Sequence, residues 1–441
     1  MAQGYVRKEM SPDMPPPVTE SGVIGWALKN LFSSWLHGIL TLFGVYIIYL
    51  TVPPFFEFTI FDAIWVGENG KACRNVTDGG IVPDGQAIGA CWPYVKAYFS
   101  QFIYGRYPLE ERWRVDIAMF VGVISLIPLL MPTLPFKREN AIFLLGVYPF
   151  LVTILLTGGN IGVGSGAWGF LLVVMVLGAG FVIFQAKTTQ SIQIGSGLKI
   201  VAAIGAVVAL VYLALSFDWG MREVETPLWG GLLVTLVVAI TGIVASFPIG
   251  IILALGRRSE MPVARLFSVI FIEFWRGVPL ITVLFMSSVM LPLFLPEGVQ
   301  FDKLLRVLIG VTLFSAAYMA ETVRGGLQAI SRGQYEGAMA LGLSFWQMMG
   351  LIVLPQALKL VIPGIVNAFI GLFKDTTLVL IVGLFDLLGQ VQASFTDPVW
   401  SSPVTSHTGY LFAGLVFWIF CFGMSRYSIF MENLLHRGHK R

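Results

Sequence analysis

Charge is what this sequence has least of. Asp, Glu, Lys and Arg supply 12% of its 441 residues and hydrophobic types 56%, against about 25% charged residues in a soluble domain. Too little polar material remains to cover a soluble protein of this length. The chain also lacks a GxxxxGK(S/T) phosphate loop, an HExxH pair, a GxSxG elbow and a CxxC pair, so an enzymatic reading has no residues to stand on. The net charge of +3 gives no reason to expect nucleic-acid binding, and the placement of cations says more than their sum. No cleavable signal sequence is evident. Residues 1–30 begin polar and Pro-rich, with Pro12 and Pro15 to Pro17, and read as a disordered cytoplasmic tail.

Cysteine is scarce as well. Of three, Cys421 lies in the last apolar run and reads as a packing residue, while Cys73 and Cys91 share one polar loop. In an oxidising compartment those two can bridge; otherwise they are two free thiols.

What the chain has in quantity is apolar runs of bilayer length. Ten are expected, at Trp35–Val52, Val115–Leu134, Ala141–Leu156, Trp168–Phe184, Ile200–Phe217, Leu228–Leu255, Phe267–Leu295, Leu304–Ile330, Leu358–Phe373 and Gly409–Met424. A further stretch, Thr376–Val391, is interrupted by Gly383, Asp386 and Gly389 and reads as a re-entrant or partial helix. With the N-terminus inside, Lys137, Arg138, Lys187, Lys199, Arg257, Arg258, Arg265 and the basic 434–441 tail all fall on the cytoplasmic side, as cation bias requires. The loop 57–114, with both cysteines, is then periplasmic. The Gly158–Gly169 stretch also lies outside and reads as a close-packed turn, not a nucleotide loop.

Before about Leu228 the apolar runs hold almost no ionisable groups; beyond it charges appear inside or beside them, where each costs about 2.5–3.5 kcal/mol to insert and so tends to mark function. Glu273 and Arg276 share a helix face, as do Glu321 and Arg324. Both pairs sit at similar depth and either hold an inner gate or only make insertion tolerable. Asn367, Lys374, Asp375, Thr376 and Thr377 surround an expected helix break and offer donors and acceptors for a zwitterion. The alternative is a Lys–Asp pair that caps the helix. Asp386 is a second candidate along the pathway.

The segment Tyr335–Lys359 carries the clearest pattern. Glu336, Gly337, Ala338 and Gly342, then Ile352, Leu354 and Pro355, fit EAA-x3-G-x9-I-x-LP, departing at Gly337 where alanine is usual. This resembles the coupling signature of ABC importer permeases. Two short helices joined around Gly342 are expected to expose Met339, Phe345, Trp346, Met348 and Met349, the kind of surface that fills a groove on a partner. The segments Phe271–Phe285, Ala317–Ala338 and Asn367–Leu384 resemble the polar-amino-acid branch, and the long N-terminal extension is similar to the general L-amino-acid permease subunits.

The resemblance implies an all-α bacterial inner-membrane protein: five accessory spans over 31–227 and a five-helix type I importer core over 228–433. It also implies a cytoplasmic ATPase dimer holding ATP and Mg, with no cofactor on this chain. A periplasmic amino-acid-binding protein and a second, distinct permease subunit complete the expected assembly. An ion-driven secondary transporter and a non-transporting scaffold are the rival classes.

Overall fold

The computed structural model describes residues 22–159, 165–189, 194–294 and 302–436. Most of the expected N-terminal tail, part of the Gly-rich stretch and the last residues of the basic tail lie outside them. Within the tail, Gly22–Asn30 forms a helix, α1, where irregular chain was expected. The prolines stop short of it, and Trp26, Ala27 and Leu28 are compatible with helix.

The chain divides into two compact units, Met1–Tyr94 with Val399–Thr408, and Val95–Pro398 with Gly409–Arg441. The expected segments 31–227 and 228–433 both contribute residues to each unit. In the first unit, α2 (Trp35–Phe56) runs into a π-helical turn at Glu57–Phe61, and none of α2 is buried. An apolar helix exposed all round is suited to lipid. Beyond it the loop is closed by a Cys73–Cys91 disulfide with Cα atoms 5.9 Å apart. Backbone and side chains hold Val399–Thr408 to that loop. The Gly70 amide donates to the Val399 carbonyl at 2.9 Å, Arg74 Nε to the Ser401 carbonyl at 2.6 Å, and the Cys91 amide to Thr408 Oγ1 at 2.9 Å.

α3 (Trp92–Tyr104) begins in the first unit and continues into the second, which contains α4 (Arg112–Leu130), α5 (Lys137–Ile142), α6 (Tyr148–Thr157), α7 (Ser165–Thr189) and α8 (Ile194–Ser216). Its later half contains α9 (Gly231–Arg257), α10 (Pro262–Gly277), α11 (Leu280–Phe285), α12 (Lys303–Ala329), α13 (Arg332–Ala340), α14 (Phe345–Met348), α15 (Leu354–Leu360), α16 (Ile362–Asp375), α17 (Leu387–Ser394) and α18 (Thr405–His436) from Gly409 onward. Among the described residues eight helices are long and apolar enough to cross a bilayer, nine if one bent pair counts as a single span.

That bent pair corrects the expected straight run Phe267–Leu295. It turns by 105° between α10 and the helical stretch from Leu280 to Phe294. Pro279 lacks an amide hydrogen and forces the residue before it out of the helical region; Val278 is extended, at φ −109° and ψ 133°. The interrupted stretch is also resolved. Thr376–Val382 is a 3-10 helix that completes the span begun by α16, Gly383 turns at φ 77°, and α17 follows.

Two apolar cores organise this unit. One joins Tyr107, Val115, Leu156 and Val224 to Trp229, Leu233, Leu284, Val307 and Val379, so residues from the expected accessory region share a core with the later half. The other gathers Leu253, Ile272, Met319, Val323 and Ile365 with Ala338, Met348, Met349 and Val353. Gly326 lets α12 touch α15: a Cβ there would meet the Ala357 carbonyl oxygen at 2.5 Å.

Candidate functional site

Residues 332–360 form a hinged surface element. α13 ends at Ala340, and two residues on the chain turns at Gly342, whose φ of 71° lies in the left-handed region that a side chain disfavours. Ser344 and Gln347 then form a capping box that starts α14. The turn leaves Met339, Leu341, Phe345 and Trp346 exposed, Trp346 by 73% and Leu341 by 76%. Met348 and Met349, expected on that surface, are buried in the second core instead. Met348 ends α14 and Met349 opens the π-helical turn Met349–Val353, and both join the core that holds Leu253, Met319 and Val323. Of the motif residues, Glu336, Gly337 and Gly342 are exposed, Ala338 is buried, and Ile352, Leu354 and Pro355 lead into α15.

The four charges singled out in the apolar runs come together, with a fifth. Glu321 is the hub. Arg324 grips it with Nε 3.1 Å from both carboxylate oxygens and Nη2 at 2.7 Å. Arg257 Nη1 lies 2.8 Å from Glu321 Oε1 and 2.8 Å from Glu273 Oε1, and Arg276 Nη1 is 3.8 Å from Glu321 Oε2. Glu273 and Arg276 do not pair with each other as their spacing allowed. Each reaches to another helix, so the cluster ties α9, α10 and α12 together. Three guanidiniums against two carboxylates leave one positive charge in excess. Arg257 was read from the sequence only as a cation that fixes orientation.

Beside this cluster lies a cleft of about 280 Å³ between α9, α12 and α16, lined by Ser246, Phe314, Ser315, Tyr318, Phe369 and Asp375 among others. Arg276 stands 5.9 Å from the centre of the Tyr318 ring, so the cleft and the charge cluster adjoin. Of the five polar residues expected around a zwitterion, Asp375 alone lines the cleft. Asn367 and Lys374 are exposed, and Thr376 is fully buried, donating to the Phe373 carbonyl at 2.8 Å. Thr377 donates to the Lys374 carbonyl at 3.0 Å. Among the described residues no ion pair joins Lys374 to Asp375. Ser246, Tyr318 and Phe369 carried no signal beyond being polar or aromatic inside apolar runs.

Asp386 is placed elsewhere. Fully buried, it accepts from the Gly389 amide at 2.9 Å and the Leu388 amide at 3.2 Å, which makes it the N-cap of α17 and not a group open to a pathway. Capping satisfies amides that the first helical turn leaves unpaired.

Residues 246–429 match the family described as binding-protein-dependent transport system inner membrane component. The whole chain is similar to the inner membrane amino-acid ABC transporter permease protein YhdY of Escherichia coli, at 43% identity over 97% of both chains. It is similar also to the glutamate/glutamine/aspartate/asparagine transport system permease protein BztC of Rhodobacter capsulatus, at 42% identity over 99% of both. A probable amino-acid ABC transporter permease protein, PatM of Vibrio harveyi, is 32% identical over its full length but covers only 52% of this chain.

Proposed function

The chain belongs to the amino-acid ABC transporter permeases, multi-pass proteins of the inner membrane, and from that premise we propose how it works and with what. Its termini and the 332–360 element face the cytoplasm, and the disulfide loop faces the periplasm; the distribution of Lys and Arg supports this orientation. A separate ATPase dimer, carrying ATP and Mg, docks on the exposed face around Gly342. A periplasmic binding protein delivers an amino acid at the other side. A second, related but distinct permease subunit completes the pathway.

The observation that carries this reading is the exposed quartet Met339, Leu341, Phe345 and Trp346 flanking a left-handed Gly342, on the segment that fits the coupling signature. Exposed aromatic and Met side chains on a short helix suit a groove on another protein. Closure of the ATPase then pushes α13 and α14. The chain responds by alternating access, with Glu273, Arg276, Glu321 and Arg324 holding the inner gate.

Asp375 offers an acceptor for the substrate ammonium, and the aromatic walls of the cleft exclude water around it. Lys374, Asn367 and Thr377 lie outside the cleft and serve in another state of the cycle or in packing. Uptake is broad, covering several polar amino acids, as the Rhodobacter capsulatus relative is named for four of them.

Reconstitution with its partners into liposomes tests the proposal. Labelled amino acids should enter only with nucleotide and binding protein present, and substitution of Glu336 or Gly342 should strip the ATPase from the purified complex. Uptake at full rate without nucleotide would refute it.

A further inference from the structure

At the end of α9 two adjacent arginines serve two different parts of the protein. Arg257 reaches into the charge cluster, with one nitrogen 2.8 Å from both Glu273 and Glu321. Arg258, the C-cap of the same helix, donates to the Leu327 carbonyl at 2.6 Å and to the Tyr335 hydroxyl at 3.1 Å. Its guanidinium also stands 5.6 Å from the centre of the Tyr335 ring. Tyr335 belongs to α13, immediately before Glu336, and its hydroxyl donates in turn to the Leu327 carbonyl at 3.2 Å. Three groups from α9, α12 and α13 thus close a small polar triangle.

We propose that Arg257 and Arg258 form a relay: Arg258 takes up displacement of α13 through Tyr335, and Arg257 passes it to Glu273 and Glu321. The inference rests on the coupling role proposed above for the 332–360 element. Both are positioning residues, since neither lines the cleft. Hydrogen bonds of 2.6–3.1 Å lose most of their strength when stretched past about 3.5 Å. A shift of α13 by about an ångström must therefore either break the triangle or drag the end of α9 with it. One peptide unit further back, the same motion pulls on the two carboxylates. Gln334 gives α13 another polar tie, 3.1 Å to Gln356 of α15, but that path reaches neither glutamate.

The test uses the complete transporter in liposomes, with uptake and nucleotide hydrolysis measured on the same vesicles for Arg258→Gln, Arg258→Lys, Tyr335→Phe and the double variant Arg258→Gln with Tyr335→Phe. Arg258→Gln should leave hydrolysis largely intact while amino acid moved per ATP falls about fivefold or more. Tyr335→Phe keeps the ring and loses only one oxygen, so it folds, and its ratio should fall by less. The double variant should be no worse than Arg258→Gln alone, and Arg258→Lys should recover part of the ratio, because an ammonium still donates to the Leu327 carbonyl. Uptake and hydrolysis falling in proportion, an unchanged ratio in both single variants, or losses that multiply in the double variant would each overturn the relay. The coupling reading itself fails differently: the unmodified transporter would then show no nucleotide-dependent uptake.

Discussion

Glu321 and Arg324 stand one turn apart on α12, so exchanging them (Glu321→Arg with Arg324→Glu) preserves an ion pair at the same spacing. If the pair only neutralises charge for insertion, the exchange should be tolerated and transport should survive. The hub predicts a different outcome, because Glu321 also faces Arg257 at 2.8 Å and Arg276 at 3.8 Å. An arginine at 321 would meet two guanidiniums where an anion had been. At a separation of about 4 Å and an effective dielectric of about 20, each such encounter costs roughly 4 kcal/mol. The side chains are 17–37% exposed at this hub, so solvent reduces each cost to about 1–2 kcal/mol. Together they come to about 2–4 kcal/mol, enough to shift a two-state gate by thirtyfold or more. Uptake by the exchanged variant in liposomes should therefore stay below about a tenth of the unmodified rate, no better than Glu321→Arg alone. Full recovery of uptake on exchange would refute the hub.

Gly342→Ala places a side chain at φ 71° with nothing within 4 Å of its Cβ, so its cost is conformational alone, about 1–2 kcal/mol; co-purification with the ATPase should weaken while the melting temperature of the isolated chain moves little. Replacing Cys73 and Cys91 by serine opens a loop of sequence separation 18 and should remove about 3 kcal/mol of local stability, read as faster protease cleavage between residues 57 and 114; intact mass with and without reductant checks the bond itself. Asp375→Asn should raise the apparent KM for amino-acid uptake several-fold, about 1–2 kcal/mol for loss of a charged acceptor, with hydrolysis and assembly retained.

The bilayer runs were legible because their only requirement is length and apolarity, and nearly all of them appear as helices within a few residues of where hydropathy puts them. One break was legible from residue type: Gly383, which turns at φ 77°, was visible within the Thr376–Val391 stretch. The turn at Val278 and Pro279 was not anticipated, since proline is often tolerated inside membrane helices, as Pro248 is in α9. The unit boundary was hidden for a different reason. An apolar run carries no label for its neighbour, so nothing in Tyr107, Val115 or Leu156 announced that they pack with Trp229 and Leu284.

The site divides along the same line. Spacing on one helix puts Glu321 and Arg324 on a common face, and the structure joins them. Spacing on one helix is silent about partners across helices, which is why Glu273 and Arg276 pair elsewhere and why Arg257 passed as an orientation signal. The Met348 and Met349 expectation failed because a short helix at a hinge has two faces and the motif does not say which is buried; the stretch Phe345–Met349 turns its methionines to the inner core and keeps Trp346 outside. Asp386 shows the opposite error, a charge whose burial is fully accounted for by two backbone amides. A buried ionisable group in a membrane protein thus has to be stripped of its local hydrogen-bond duties before it is credited to a pathway. By that test Asp386 drops out, whereas Asp375, half-buried on the cleft wall and in no ion pair among the described residues, remains.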